Sequence, residues 1–291
     1  MRHSPLLRAL LVVPVALVAV AACGDDSSEP GEASVPADET LPTVAPAGEP
    51  ATNHEYATGP DDVVISVEYE GGFVPMDAVF TRTPQSLVTG DGRALSTGPV
   101  IAIYPGPLLP NVLQQSITPE GIQSLLAEAD ELGLLADVTY ERNDMIADAP
   151  DTVVTINVDG ATYRHQAYAL DIDEETDPAR ANLSAFVAAM GDLAGSVGVA
   201  ELGPEEPFRP ANDLMRATPT DPATLDVDVE PTIVAWPDDA PVRLADAADC
   251  ASVPADAVAS LFADATVLTF FTDADVTYSV AAVPQIPGRT C

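Results

Sequence analysis

The chain has 291 residues, of which 47% are hydrophobic and 20% charged, enough to bury one sizeable core or two smaller ones and too apolar to be disordered throughout. Its 11 basic residues, every one an arginine, face 46 acidic residues, for a formal net charge of -35. Nucleic acid is thereby excluded as a partner, because phosphate binding needs a basic patch. A lysine-free acidic surface keeps a chain soluble by self-repulsion, and it suits either a high-salt setting or a GC-rich genome.

Residues 1–22 read as a secretory signal peptide. Arg2 and Arg8 make a positive start, and Ala9 to Ala22 ("ALLVVPVALVAVAA") is apolar but shorter than the roughly 20 residues a bilayer span needs. Cys23 follows Val20, Ala21 and Ala22, and this V-A-A-C resembles the lipobox of bacterial lipoprotein precursors. The resemblance implies that the Cys23 thiol receives diacylglycerol and becomes the mature N-terminus, held on the extracytoplasmic face of the cell membrane. Two acyl chains matter because one chain alone binds a membrane only marginally. Cleavage removes Arg2, Arg8 and His3 but no acid, leaving nine arginines against 46 acids, a net -37. Repulsion then holds the body off an anionic bilayer. Residues 23–60 fit that arrangement: from Gly24 to Pro60 the chain is rich in Pro, Ser, Ala and acids without apolar periodicity, and it reads as a disordered stalk. His54 is assigned to that solvated linker.

Periodic structure begins at Val63. "VVISVEYEGGFV" alternates and turns at Gly71-Gly72, and two extended runs flank Asp91-Gly92, a pair that favours a tight hairpin over a phosphate loop. "PVIAIYPGPLLPNV" is apolar but carries four prolines, Pro99 to Pro110, and fits an edge or a rigid loop. Thr118 and Pro119 open a helix with Ile122, Leu125, Leu126, Ala129 and Leu132 on one face and Gly133 at its stop. A hairpin turning at Asp159-Gly160 pairs Val158 with Ala161, Ile156 with Tyr163 and Val154 with His165, which points His165 to the apolar face. Asp177-Pro178 then opens a second amphipathic helix lined by Leu183, Phe186, Val187, Met190 and Leu193.

Periodicity is lost and prolines gather from Glu201 to Asp221, so residues 201–222 are expected to be a linker between a larger domain, 61–200, and a smaller one, 223–291. In the second, Thr224–Val229 and Thr232–Trp236 look extended, "VPADAVASLFADA" makes a helix, and "TVLTFFTDADVTYSVAAVP" makes a hairpin. The two helix-then-hairpin runs are either a degenerate repeat or two units of one α+β grammar, the second being favoured. The expected fold class is therefore α+β, antiparallel hairpins packed with amphipathic helices.

Catalytic motifs do not emerge. "DIDEETD" places Asp171, Asp173 and Glu175 as an EF-hand begins, but Thr176 stands where Gly is needed and Asn182 where Glu is needed, so these acids are assigned to the helix N-terminus they precede. No metal site and no cofactor is expected. H-E-x-x-H, C-x-x-C, G-x-S-x-G and S-x-x-K are all absent. The mature chain keeps only His54 and His165, so His165 is the one candidate for a catalytic base, although a satisfied histidine at the core edge fits its place better. Trp236 is read as a core or lid residue. Once Cys23 is acylated, Cys250 and Cys291 are the only thiols left, and in an oxidising compartment they should form a disulfide; a metal or redox site lacks C-x-x-C spacing and a nearby histidine.

A second resemblance lies in Val67 to Pro105, which is similar to the first domain of a group of secreted actinobacterial proteins of unassigned activity. It implies an envelope-facing protein and carries over no catalytic residues. Together these readings point to a membrane-anchored envelope lipoprotein with a binding or scaffolding role, its partner an envelope protein or a small ligand. A hydrolase using His165 and a passive surface spacer are the alternatives.

Overall fold

The computed structural model describes residues 53–142, 145–172, 176–225 and 228–291. The expected signal peptide, Cys23 and the expected stalk as far as residue 52 lie outside them. The described residues belong to one compact unit, Glu49–Cys291, of mixed α+β character with two sheets rich in antiparallel pairs.

The first part of the chain runs β1 (Val63–Gly71), α1 (Met76–Phe80), β2 (Ser86–Thr89), β3 (Arg93–Thr97), β4 (Val112–Ser116), α2 (Pro119–Glu131), β5 (Pro150–Val158), β6 (Ala161–Tyr168), α3 (Pro178–Gly191), α4 (Leu193–Val197) and β7 (Glu206–Pro207). Its strands form a seven-stranded sheet in the order β6-β5-β1-β2-β3-β4-β7. One face of this sheet meets the helices. Ile65 and Val67 of β1 and Val154 and Ile156 of β5 pack there against Ile122, Leu125 and Leu126 of α2 and Leu183 and Phe186 of α3. Both helices start where their caps dictate: the Thr118 hydroxyl accepts from the Gly121 N–H at 3.1 Å, the Asp177 carboxylate accepts from the Arg180 N–H at 2.9 Å, and proline holds the first position in each. The β5–β6 register is Val158↔Ala161, Ile156↔Tyr163 and Val154↔His165, turned by Asp159 and Gly160 with φ of 53° and 72°.

The second part runs β8 (Asn212–Pro219), β9 (Thr232–Ala235), β10 (Ala251–Pro254), α5 (Ala255–Phe262), β11 (Thr269–Asp273) and β12 (Val276–Pro284). Its sheet is ordered β10-β8-β12-β11-β9, antiparallel except where β9 runs parallel to β11. Met215, Val253, Val280 and Ala282 meet Val258 and Phe262 of α5 on one face. Trp236 is a core residue: its ring lies edge-on to Phe271 at 5.6 Å, and its indole N–H donates to the Val242 carbonyl at 2.8 Å.

Three expectations are corrected. Residues 201–222 are no spacer, because β7 pairs with β4 and β8 is an inner strand of the second sheet. Burial on both faces explains why β8 escaped notice: Leu214 and Met215 are neighbours and both are buried, so the period-two signature is missing. The stretch Thr224–Val229 is not extended at its start, where Pro222–Thr224 form a 3-10 turn, and residues 226–227 lie outside the described set. Residues 54–60 are docked on the body: a Cβ on Gly90 would fall 1.8 Å from the Ala57 carbonyl oxygen, so only glycine permits this approach.

Asp213 of β8 shares by alternation the face of Met215 and Ala217, is 3% exposed, and its Oδ1 has no hydrogen-bond partner. Burial pushes its carboxyl up to about 6 from 3.8. Because the folded pKa exceeds the unfolded one, stability is full below about pH 4 and falls as pH rises through 6, by up to about 3 kcal/mol. Asp213→Asn should therefore raise stability in urea titrations at pH 7.5 and leave it unchanged near pH 4; an equal effect at both would refute the charge origin.

Candidate functional site

The outer face of the first sheet is only partly covered. Ile286, just past β12, packs there with Leu87, Leu95 and Val112, and the segment Ile286–Arg289 then crosses the sheet. Beside it opens a cleft of about 540 Å³, floored by Ser66, Glu68 and Glu70 of β1 and Thr155 and Asn157 of β5, and walled by Val79, Arg82 and Arg289. Strand alternation builds the floor: with Ile65 and Val67 committed to the core, residues 66, 68 and 70 must face the other way.

Two arginines shape the lip. Strand β2 starts at Ser86, opposite Val67, so β1 runs on without a neighbour on that side. The Arg82 guanidinium takes the place of the missing strand, donating to the Tyr69 carbonyl at 2.9 Å and the Gly71 carbonyl at 2.7 Å. Arg289 donates in turn to the carbonyls of Arg82, at 2.7 Å, and Phe80. The short helix α1 thereby hangs between Arg289 and Arg216, which pairs with Asp77 at 2.6 Å and lies over the Phe80 ring.

The charges of the cleft are unevenly matched. Glu70 receives both bonds of Arg164, each 2.9 Å. Glu68 makes no ion pair within 4 Å among the described residues. Burial, then the Glu70 charge, raise its carboxyl above the ordinary range, against smaller opposing effects from Arg289, a Ser66 hydrogen bond and Arg164. Burial lowers the Arg289 guanidinium, and Glu68 opposes that shift. A half-buried acid thus faces a half-buried cation without direct contact, so a bound group that both donates and accepts hydrogen bonds can relieve both.

The residues singled out in the sequence lie elsewhere. His165 is 1% exposed; its Nε2–H donates to the Leu134 carbonyl and its Nδ1 accepts from the Tyr140 hydroxyl, both at 2.8 Å. Burial lowers the His165 pKa and pushes the Tyr140 phenol up to about 12, so the pair is a neutral structural link with no nitrogen left for a substrate. His54, assigned to solvated linker, is instead 8% exposed: its Nδ1–H donates to Asp159 at 2.8 Å, and Gln123 brackets its main chain. The His54 hydrogen bond, followed by the Glu55 N–H, lowers the Asp159 pKa. Asp171 accepts from the Ser184 hydroxyl at 2.5 Å, while Asp173 and Glu175 lie outside the described residues. Cys250 and Cys291 are joined by a disulfide with Cα atoms 5.4 Å apart, two residues beyond Arg289.

Sequence reading missed the cleft. The period-two signal in β1 was sufficient to group Ser66, Glu68 and Glu70, but nothing local places Arg289 above them. Comparison with protein-family models, curated proteins and solved structures finds no match to this chain.

Charged hydrogen bonds of the Arg289 kind contribute about 1.5–3 kcal/mol. Arg289→Ala should accordingly speed amide exchange at residues 79–83 by tenfold or more while leaving β5 and β6 protected. Unchanged exchange at 79–83 would show that the fork does not hold the lip.

Proposed function

We propose that this chain is a cell-envelope lipoprotein, anchored through Cys23 on the outer face of the cytoplasmic membrane, and that its body is a binding module. The observation that carries the binding role is the cleft, where Glu68 and Arg289 are half-buried, oppositely charged and out of contact. A passive spacer has no need of such a site. The hydrolase alternative has weaker support, since both nitrogens of His165 are engaged in the core.

Two further features support the address. The V-A-A-C segment follows a positive start and an apolar run in the order an acylation signal requires. A disulfide between Cys250 and Cys291 suits an oxidising compartment outside the cytoplasm. The ligand class proposed is a small polar molecule, or an exposed segment of an envelope protein, that carries both donor and acceptor groups.

Anchoring is tested by detergent partitioning: the mature protein should enter the Triton X-114 phase and Cys23→Ser should move it to the aqueous phase. Equal partitioning of the two would exclude the anchor. For the cleft, cross-linking from a photoreactive residue at Thr83 in intact envelopes should recover one dominant adduct that Glu68→Gln weakens severalfold.

A further inference from the structure

From Ala94 to Pro119 the chain contains no Asp, Glu, Lys, Arg or His, although 20% of the whole sequence is Asp, Glu, Lys or Arg. The middle of that run joins β3 to β4 as a loop, and its side chains do not fold inward. Val100, Ile101, Ile103 and Tyr104 are 63%, 72%, 60% and 63% exposed. Val267, 53% exposed, extends the patch, because its N–H donates to the Gly106 carbonyl at 3.0 Å. Beneath the tip the loop is firmly seated: Leu108 is buried in the second core, and the Asn111 amide donates to the Pro99 carbonyl at 2.9 Å.

We propose that this loop is a membrane-docking element that inserts its apolar tip into the headgroup and upper acyl region of the bilayer to which Cys23 is tethered. The inference rests on the lipoprotein reading for the presence of the bilayer. Residues 24–52, 29 in all, separate Cys23 from Asn53, a reach of at most about 100 Å, so the body stays within range of the membrane surface. Charge then selects the face that can touch it. A body of net -37 is repelled by anionic headgroups almost everywhere, whereas this loop approaches without bringing an acid of its own. Part of its backbone is already spared contact with water. Pro99, Pro105 and Pro107 have no N–H to desolvate, Ile103 N–H bonds to the Ile101 carbonyl at 2.9 Å, and the Pro99 and Gly106 carbonyls are already taken. No charged side chain is present at the tip to register a protein partner, which favours lipid over a protein groove. Aliphatic side chains with one tyrosine are the composition that shallow interfacial insertion uses.

The test couples the mature chain through its Cys23 thiol to a maleimide-bearing lipid in phosphatidylcholine vesicles, the other two cysteines being held in their disulfide. This attachment does not depend on acylation in the cell, so failure of the anchor reading, seen by Triton X-114 partitioning, is separate from failure of this one. Tryptophan fluorescence of Ile103→Trp should shift to the blue on the vesicles and be quenched at least twofold by phosphatidylcholine brominated along the acyl chain. Buried Trp236 in the unaltered chain supplies the background, and Ile101→Asp in the same background should abolish the quenching, with an unchanged near-ultraviolet dichroism spectrum verifying the fold. Absence of quenching overturns the proposal and makes the patch a protein-docking surface. Equal quenching at Val199→Trp, an exposed residue near the opposite end of the first sheet, overturns the assignment to this loop.

Discussion

The crossing of Ile286–Arg289 over the first sheet is the contact on which the rest of the structure depends. Ile286 closes a small apolar cluster with Leu87, Leu95 and Val112, residues of the first sheet that face away from its helices. Three residues later Arg289 fixes the carbonyls of Phe80 and Arg82. Apolar burial and charged hydrogen bonds thus act on the same short segment, one supplying affinity and the other direction. The disulfide two residues on ties this segment to the strand β10 end of the second sheet.

Arginine is used unusually in this setting. Arg93, Arg164, Arg216 and Arg243 pair with Asp91, Glu70, Asp77 and Asp273, whereas Arg82 and Arg289 donate to main-chain carbonyls, and Arg180 reaches those of Glu141, Tyr168 and Ala169. The planar fork of five donors can serve irregular backbone that no strand reaches. In a lysine-free chain Arg82 and Arg289 therefore act as pieces of secondary structure, while other arginines serve as partners of carboxylates.

This division explains what was legible in the sequence. Helices α2 and α3 and the hairpins β2–β3, β5–β6 and β11–β12 are specified by local signals, caps and turns with alternating flanks, and they can be read within twenty residues. The face of His165 followed from counting pairs back from Asp159-Gly160. Strand β8 was hidden because it is buried on both sides, and the buried Asp213 made it look like a loop. His54 was misread because its partners, Gln123 and Asp159, lie 69 and 105 residues away and composition around it is that of a linker. The cleft was illegible for the same reason in stronger form, since its two walls have no local relationship.

The hydrogen bonds of Arg289 span 207 and 209 residues. A chain synthesised N-terminus first must hold β1, with its free edge at Tyr69 and Gly71, for the whole time that this partner is still to emerge. Non-local closure of this kind is slow, and an open edge is a template for pairing with other chains. Arg82 lies only 11 to 13 residues from the carbonyls it covers, so it can shield that edge long before Arg289 arrives. The fork that covers this edge is thus local in sequence, and the contact that completes the cleft is distant.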